Sequence, residues 1–100
     1  TDNPSNCGIV EVDEKSILRK FYEKVKKPPC QKANAAIYVF EDDFLKWLVK
    51  NSPNAKDFST EIIPKLIGKI YTYHTDETYI DIGTIEALKI ARQFSKNQNP

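Results

Sequence analysis

One hundred residues with a formal charge of +1 leave room for one small domain or a piece of a larger one, and give no general electrostatic pull on nucleic acid or an anionic membrane. A hydrophobic content of 40%, spread along the whole length, supplies a modest core and confines expected disorder to the ends. No apolar run approaches the roughly 20 residues of a membrane span, and the polar start Thr1-Asp2-Asn3-Pro4 is no signal peptide, so the chain reads as soluble.

In chain order, residues 1–6 are a polar, turn-prone lead-in. Cys7 to Val12 fits a strand, Asp13-Glu14-Lys15-Ser16 a hydrophilic turn, and Ile17 to Lys24 a second extended segment, which together predict a hairpin. A helix over 15–26 competes, because Ile17, Leu18, Phe21, Tyr22 and Val25 also satisfy a 3.6-residue period. Lys26-Lys27-Pro28-Pro29-Cys30 is a loop, since each proline removes a donor and restricts the residue before it. Asn34 to Phe40 predicts a strand, apolar on both faces from Ala35 onward and therefore central and covered.

Glu41-Asp42-Asp43 places acids where the positive end of a helix dipole favours them. Phe44, Leu45, Trp47, Leu48 and Val49 then form an apolar stripe that Asn51-Ser52-Pro53-Asn54 stops. Asp57 or Ser59 caps a second short helix running toward Leu66, with Pro64 near a restart and Gly68 closing it. Lys69 to Tyr73 alternates like a half-exposed strand. Tyr79 to Ile82 predicts a short buried strand, Gly83 a sharp turn, and Thr84 the cap of a last helix over Ile85–Phe94 with Ile85, Leu88 and Ala91 on one face. Ser95 to Pro100 reads as a polar tail. No repeat divides the chain, which is taken as a single unit over 1–100.

Cys7 and Cys30 lack zinc-site spacing, and the single His74 does not repair that. They read as free thiols in a reducing cytoplasm, with a disulfide as the alternative. His74 itself reads as a surface residue at a strand end. The aromatic residues Tyr38, Phe40, Phe44 and Trp47 read as core. The absence of an initiating Met suggests a chain that starts partway through a protein or was processed.

Asp81 interrupts the apolar run 79–82 just before a helix start. A carboxylate there sits where open α/β sheets place their ligands, able to hold a divalent cation; the alternative is a residue that stabilises only its own turn. Lys24, Lys26 and Lys27 by themselves read as a solvated loop.

The stretch Tyr-Ile-Asp-Ile-Gly-Thr at 79–84 resembles the closing motif of the sugar-1-phosphate nucleotidyltransferases, the nucleotide-sugar pyrophosphorylases. Phe-Tyr-Glu-Lys at 21–24 is similar to that family's Glu-Lys-Pro motif, with Val25 in place of Pro. Asn-Ala-Ala-Ile-Tyr at 34–38 is similar to its Asn-Ala-Gly-Ile-Tyr, with Ala36 in place of Gly. Asp57 to Pro64 resembles its Asp-Phe and Leu-Pro helical segment, and Tyr79 stands where the family often has Trp. The order of the four motifs is the family's order, and the resemblance favours the strand over the helix at 17–24.

The resemblance implies an α/β fold: a partial mixed β-sheet with about three helices, the second half of a Rossmann-like nucleotide-diphospho-sugar transferase domain. It implies that Lys24 binds the phosphate of a sugar 1-phosphate, that Glu23 and Asn34 contact the sugar, that Tyr79 walls the site, and that Asp81 is one of two metal ligands, for Mg2+. The substrates implied are a nucleoside triphosphate and a sugar 1-phosphate, with mannose or heptose 1-phosphate and GTP as the nearest impression. The Gly-rich nucleotide loop and the first metal-binding Asp of the family are expected ahead of Thr1, so the chain alone is expected to be inactive. The rival expectation is a stand-alone, non-catalytic binding or assembly module that pairs through an exposed sheet edge with a copy of itself or with the missing amino-terminal half.

Overall fold

The computed structural model describes residues 1–98. After a single 3-10 turn at Pro4–Asn6, strands β1 (Gly8–Val12) and β2 (Leu18–Glu23) form an antiparallel hairpin. The register pairs Gly8 with Glu23, Ile9 with Tyr22, Val10 with Phe21 and Glu11 with Lys20, then slips so that Val12 faces Leu18. Arg19 is thereby the extra residue of a β-bulge. The turn is held by Asp13, whose Oδ1 accepts the N–H groups of Lys15 (2.9 Å) and Ile17 (3.0 Å) and whose Oδ2 accepts Arg19 Nε–H (2.7 Å). Ser16 completes the turn in the left-handed region at φ 64°.

Extended segments widen the hairpin on both edges. Beside β1, Val10 N–H donates to Lys32 O (2.9 Å) and Asn34 N–H to Gly8 O (2.8 Å). Beside β2, Gly68 N–H donates to Leu18 O (2.8 Å), Leu18 N–H to Ile70 O (2.9 Å) and Thr72 N–H to Ser16 O (2.7 Å). The spatial order is therefore 32–34, β1, β2, 68–72, with each bridge antiparallel. Gly68, at φ 86°, makes the bend that brings the last segment onto β2.

Helix α1 (Asp42–Asn51) follows from the acids in its first turn and ends where Ser52 N–H returns to Leu48 O. A wide turn with i to i+5 bonding, Phe58–Ile62, runs into a 3-10 turn, Ile63–Leu66, with Pro64 in the first positions that tolerate it. Its entry is capped reciprocally: Asp57 Oδ1 accepts Ser59 N–H (3.0 Å), while Glu61 reaches back to the N–H groups of Lys56 and Asp57 (2.7 Å each). Helix α2 (Ile85–Gln98) is capped by Thr84, whose Oγ1 accepts Ala87 N–H at 3.1 Å. The buried side chains among the described residues are Ile9, Leu18, Ile62, Ile63 and Leu66.

The hairpin, α1, the Asp57 cap and the last helix match the sequence reading, and both cysteines are free thiols. Three predicted strands do not form. At 34–40 the pairing stops at Asn34, because Ala36 turns into the left-handed region at φ 57°; Ile37 and Val39 then stand exposed instead of covered. The 69–73 segment pairs only at Tyr71. The 79–82 segment has no ladder partner among the described residues, and its Tyr79 and Ile82 are exposed, not buried. Ser95 to Gln98 continue α2 instead of forming a tail; Asn99 and Pro100 lie outside the described residues. Ile85, expected on the packed face of α2, is exposed.

Candidate functional site

Strand pairing sets the first part of the site. Gly8 is flanked by Glu23 on one edge and by Asn34 on the other, so two strands of sheet bring the residues of two separate motifs to the same end of the hairpin. Lys24 follows at once: its N–H still donates to Cys7 O (3.1 Å), and its φ of 52° turns the chain out of the ladder. The Lys24 side chain is exposed and takes no part in the Arg19–Asp13 ion pair or the His74–Asp76 contact, the two pairings of opposite charge type among the described residues. Gly8 gives this end its profile. A methyl placed there would meet Phe21 Cζ at 2.7 Å and Glu23 Oε2 at 3.1 Å, so the Phe21 ring and the Glu23 carboxylate both lie over the glycine.

The segment after Asn34 is a loop built on its side chain. Asn34 Oδ1 accepts Ala36 N–H at 2.9 Å, and Asn34 Nδ2–H donates to the Tyr38 hydroxyl at 2.6 Å. An N–H can only donate, so the amide orientation is fixed by chemistry: the oxygen faces Ala36 and the nitrogen faces Tyr38. One amide N–H and one oxygen lone pair remain for a ligand. Ala36 holds a left-handed conformation that glycine adopts more readily.

Tyr79 reaches the same loop from the far end of the chain, its hydroxyl donating to Ala35 O at 2.8 Å across a separation of 44 residues. Asp81 lies two residues further on, at most about 7 Å of extended chain away. Its Oδ1 accepts Gly83 N–H at 3.1 Å; the turn-stabilising alternative is therefore realised on one oxygen while the other stays available. A hard carboxylate oxygen suits Mg2+, which is commonly held by one or two carboxylates with substrate phosphates completing its shell. The Asp81 carboxylate is of that donor type, while no group of three metal-ligating side chains gathers among the described residues.

Glu23, Lys24, Asn34 and Tyr79 are thus linked by main-chain pairing and one side-chain bond, with Asp81 on the same segment as Tyr79. No direct bond joins Lys24 to Asp81 among the described residues. Two open hollows lie elsewhere: a groove of about 520 Å³ along Val10, Val12 and Cys30, and a smaller one of about 240 Å³ between Leu48 and Phe58. Of the expected core aromatics Tyr38, Phe40, Phe44 and Trp47, none is buried and Phe40 is exposed, although Tyr38 stacks against Phe40 (5.8 Å between centroids) and packs against Phe58 (4.7 Å). Its hydroxyl also orients Asn34, a role that the spacing of the two residues gives no means of predicting. His74 pairs with Asp76 at 3.1 Å on the surface.

A family model described as Nucleotidyl transferase matches residues 1–98. The chain is 34% identical over 91 residues to the glucose-1-phosphate adenylyltransferase of Clostridium acetobutylicum, covering 84% of this chain and 24% of that protein. It is 34% identical over 94 residues to the protein of the same name from Thermotoga neapolitana (86% and 22%) and 31% identical over 94 residues to that from Mycoplasma mobile (87% and 25%). The chain therefore spans about a quarter of the length of these relatives. No solved structure matches it. With the family model running from residue 1 to residue 98 and the motifs at 21–24, 34–38, 57–64 and 79–84 in the family's order, the chain belongs to the nucleotidyl transferase family, among its sugar-1-phosphate nucleotidyltransferases.

Proposed function

We propose that this chain is the carboxyl-terminal, sugar-phosphate-binding part of the catalytic domain of a nucleotidyltransferase that joins glucose 1-phosphate to the adenylyl group of ATP. The observation that supports the reading is the main-chain pairing of Glu23, Lys24 and Asn34 beside Cys7 and Gly8, with the Tyr79 hydroxyl bonded to the neighbouring Ala35 carbonyl. The relatives are named for glucose 1-phosphate and adenylyl transfer, which displaces the sequence impression of mannose or heptose 1-phosphate with GTP.

In the complete reaction a phosphate oxygen of the sugar 1-phosphate forms a bond to the α-phosphorus of ATP, the α–β bridging P–O bond breaks, and pyrophosphate leaves. Lys24 holds the sugar phosphate, because a compact ammonium neutralises oxyanions without competing as an acceptor. Asn34 reads a sugar hydroxyl with its remaining N–H and lone pair, and Glu23 accepts from another. Asp81 is the residue that would hold magnesium, which when bound neutralises phosphate charge. The share of this chain in that reaction is to bind the sugar phosphate.

Calorimetric titration of the chain with glucose 1-phosphate tests this. Saturable binding, weakened about tenfold in Lys24→Ala as befits the loss of a charge-assisted hydrogen bond, is the expected result. No saturable binding, or binding indifferent to Lys24→Ala, overturns it.

A second reading, an assembly module without chemistry, is favoured by the exposed apolar surface: Val39 is 98% exposed, Tyr73 89% and Ile37 78%. On that reading the chain associates through this surface with a second copy or with the rest of a nucleotidyltransferase domain and binds no sugar phosphate.

A further inference from the structure

We propose that Tyr79 is a positioning residue for Asn34, acting through the Ala35–Ala36 peptide; this rests on Asn34 being the sugar-reading residue. The two hydrogen bonds that matter belong to one peptide unit. Its carbonyl, Ala35 O, accepts from the Tyr79 hydroxyl at 2.8 Å, and its N–H, on Ala36, donates to Asn34 Oδ1 at 2.9 Å. In a trans peptide the carbonyl and the N–H point in opposite directions, so the unit is gripped from both sides and its plane cannot rotate without breaking both contacts.

That grip matters because Ala36 is a non-glycine residue at φ 57°. A left-handed residue with a Cβ is strained, and a flip of the peptide before it is the available relief. A flip would carry the Ala36 N–H away from Asn34 and release the side-chain amide, leaving only the Tyr38 hydroxyl to direct it. The Tyr79 hydroxyl opposes the flip from outside the loop. Tyr79 thereby couples the segment that carries Asp81 to the loop that carries Asn34, and the part of it that acts is the hydroxyl, not the ring that the sequence reading offered as a wall.

The test uses Tyr79→Phe in the 100-residue chain, which removes one exposed oxygen and keeps the ring. Amide hydrogen exchange, followed by NMR without ligand, is expected to quicken at Ala36 while Val10 and Asn34, bonded in the sheet, keep their rates. Glucose 1-phosphate affinity is expected to fall about three- to tenfold, the range for one neutral hydrogen bond, with inorganic phosphate affinity unchanged. Unchanged exchange at Ala36 overturns the inference. So does quickened exchange with the glucose 1-phosphate affinity intact, or an equal loss for both ligands, since a purely structural role would give either. If the unsubstituted chain binds no glucose 1-phosphate while Ala36 still responds to Tyr79→Phe, the proposed function fails and the substrate-positioning role fails with it, but the mechanical tie between the segments stands.

Discussion

Glu23 and Asn34 face each other across Gly8, one paired to each edge of β1, which places their backbones two strand spacings apart, roughly 10 Å. Within that interval the Phe21 ring and the Glu23 carboxylate lie over Gly8.

Gly8 leaves little room for a side chain beneath the Phe21 ring. Gly8→Ala puts a methyl 2.7 Å from Phe21 Cζ, and overpacking of this kind typically costs about 1–3 kcal/mol, more than the roughly 0.5–1 kcal/mol of backbone entropy that alanine recovers over glycine. Chemical denaturation is expected to show net destabilisation in Gly8→Ala. Much less loss is expected when the same change is made on a Phe21→Ala background, because the ring has then been removed.

Ala36→Gly goes the other way. The left-handed conformation at φ 57° costs an L-residue roughly 1–2 kcal/mol, against roughly 0.5–1 kcal/mol for the extra freedom glycine loses on folding. A net gain of about 0.5–1 kcal/mol is expected, read as a higher denaturation midpoint with an unchanged slope.

Acid should weaken the hairpin turn. The backbone N–H of Ile17 comes first, with the Arg19 guanidinium and the Lys15 N–H adding to it, in holding the Asp13 carboxyl below the ordinary carboxylate range despite some opposing desolvation. A carboxyl whose folded pKa is depressed contributes stability above its unfolded pKa, about 4, and loses that contribution as the pH falls through the lower folded value. Glu61 behaves alike, held down by the N–H groups of Asp57 and Lys56. Asp13→Asn is therefore expected to lower the melting temperature at pH 7, and the gap from the parent chain should close as the pH is taken below about 4. A gap that stays constant with pH contradicts the assignment.

The apolar surface should show itself in solution. The chain has a radius of gyration of 15.8 Å, against about 13 Å for a compact domain of this length, and it exposes Val39, Tyr73, Ile37 and Val49. Sedimentation velocity is expected to show association that rises with concentration. Lys or Glu at Val39 and Tyr73 together is expected to reduce it.

What the sequence revealed follows the range of the interactions. The Gly8–Glu23 hairpin, α1 behind its acids, the Asp57 cap and Thr84 before α2 are set by neighbours a few positions away, and each was legible. The strands expected at 34–40 and 79–82 depend on partners distant in the chain, and without such partners Val39 and Ile82 stay in solvent. The residue types of the site could be read from its motifs, but the hydroxyl of Tyr79 on Ala35 joins positions 44 apart and leaves no trace in local pattern. Tyr38 was hidden for a different reason: an aromatic ring among aromatics reads as packing, and its hydroxyl carries the information.

The most direct test of the central claim is a chemical-shift map of the chain titrated with glucose 1-phosphate. Saturable shifts gathered at Glu23, Lys24, Asn34 to Ala36 and Tyr79 to Asp81, and absent in Lys24→Ala, are the result expected. Shifts scattered over the apolar surface, or centred on the groove beside Cys30, would contradict a sugar-phosphate site at the end of the hairpin.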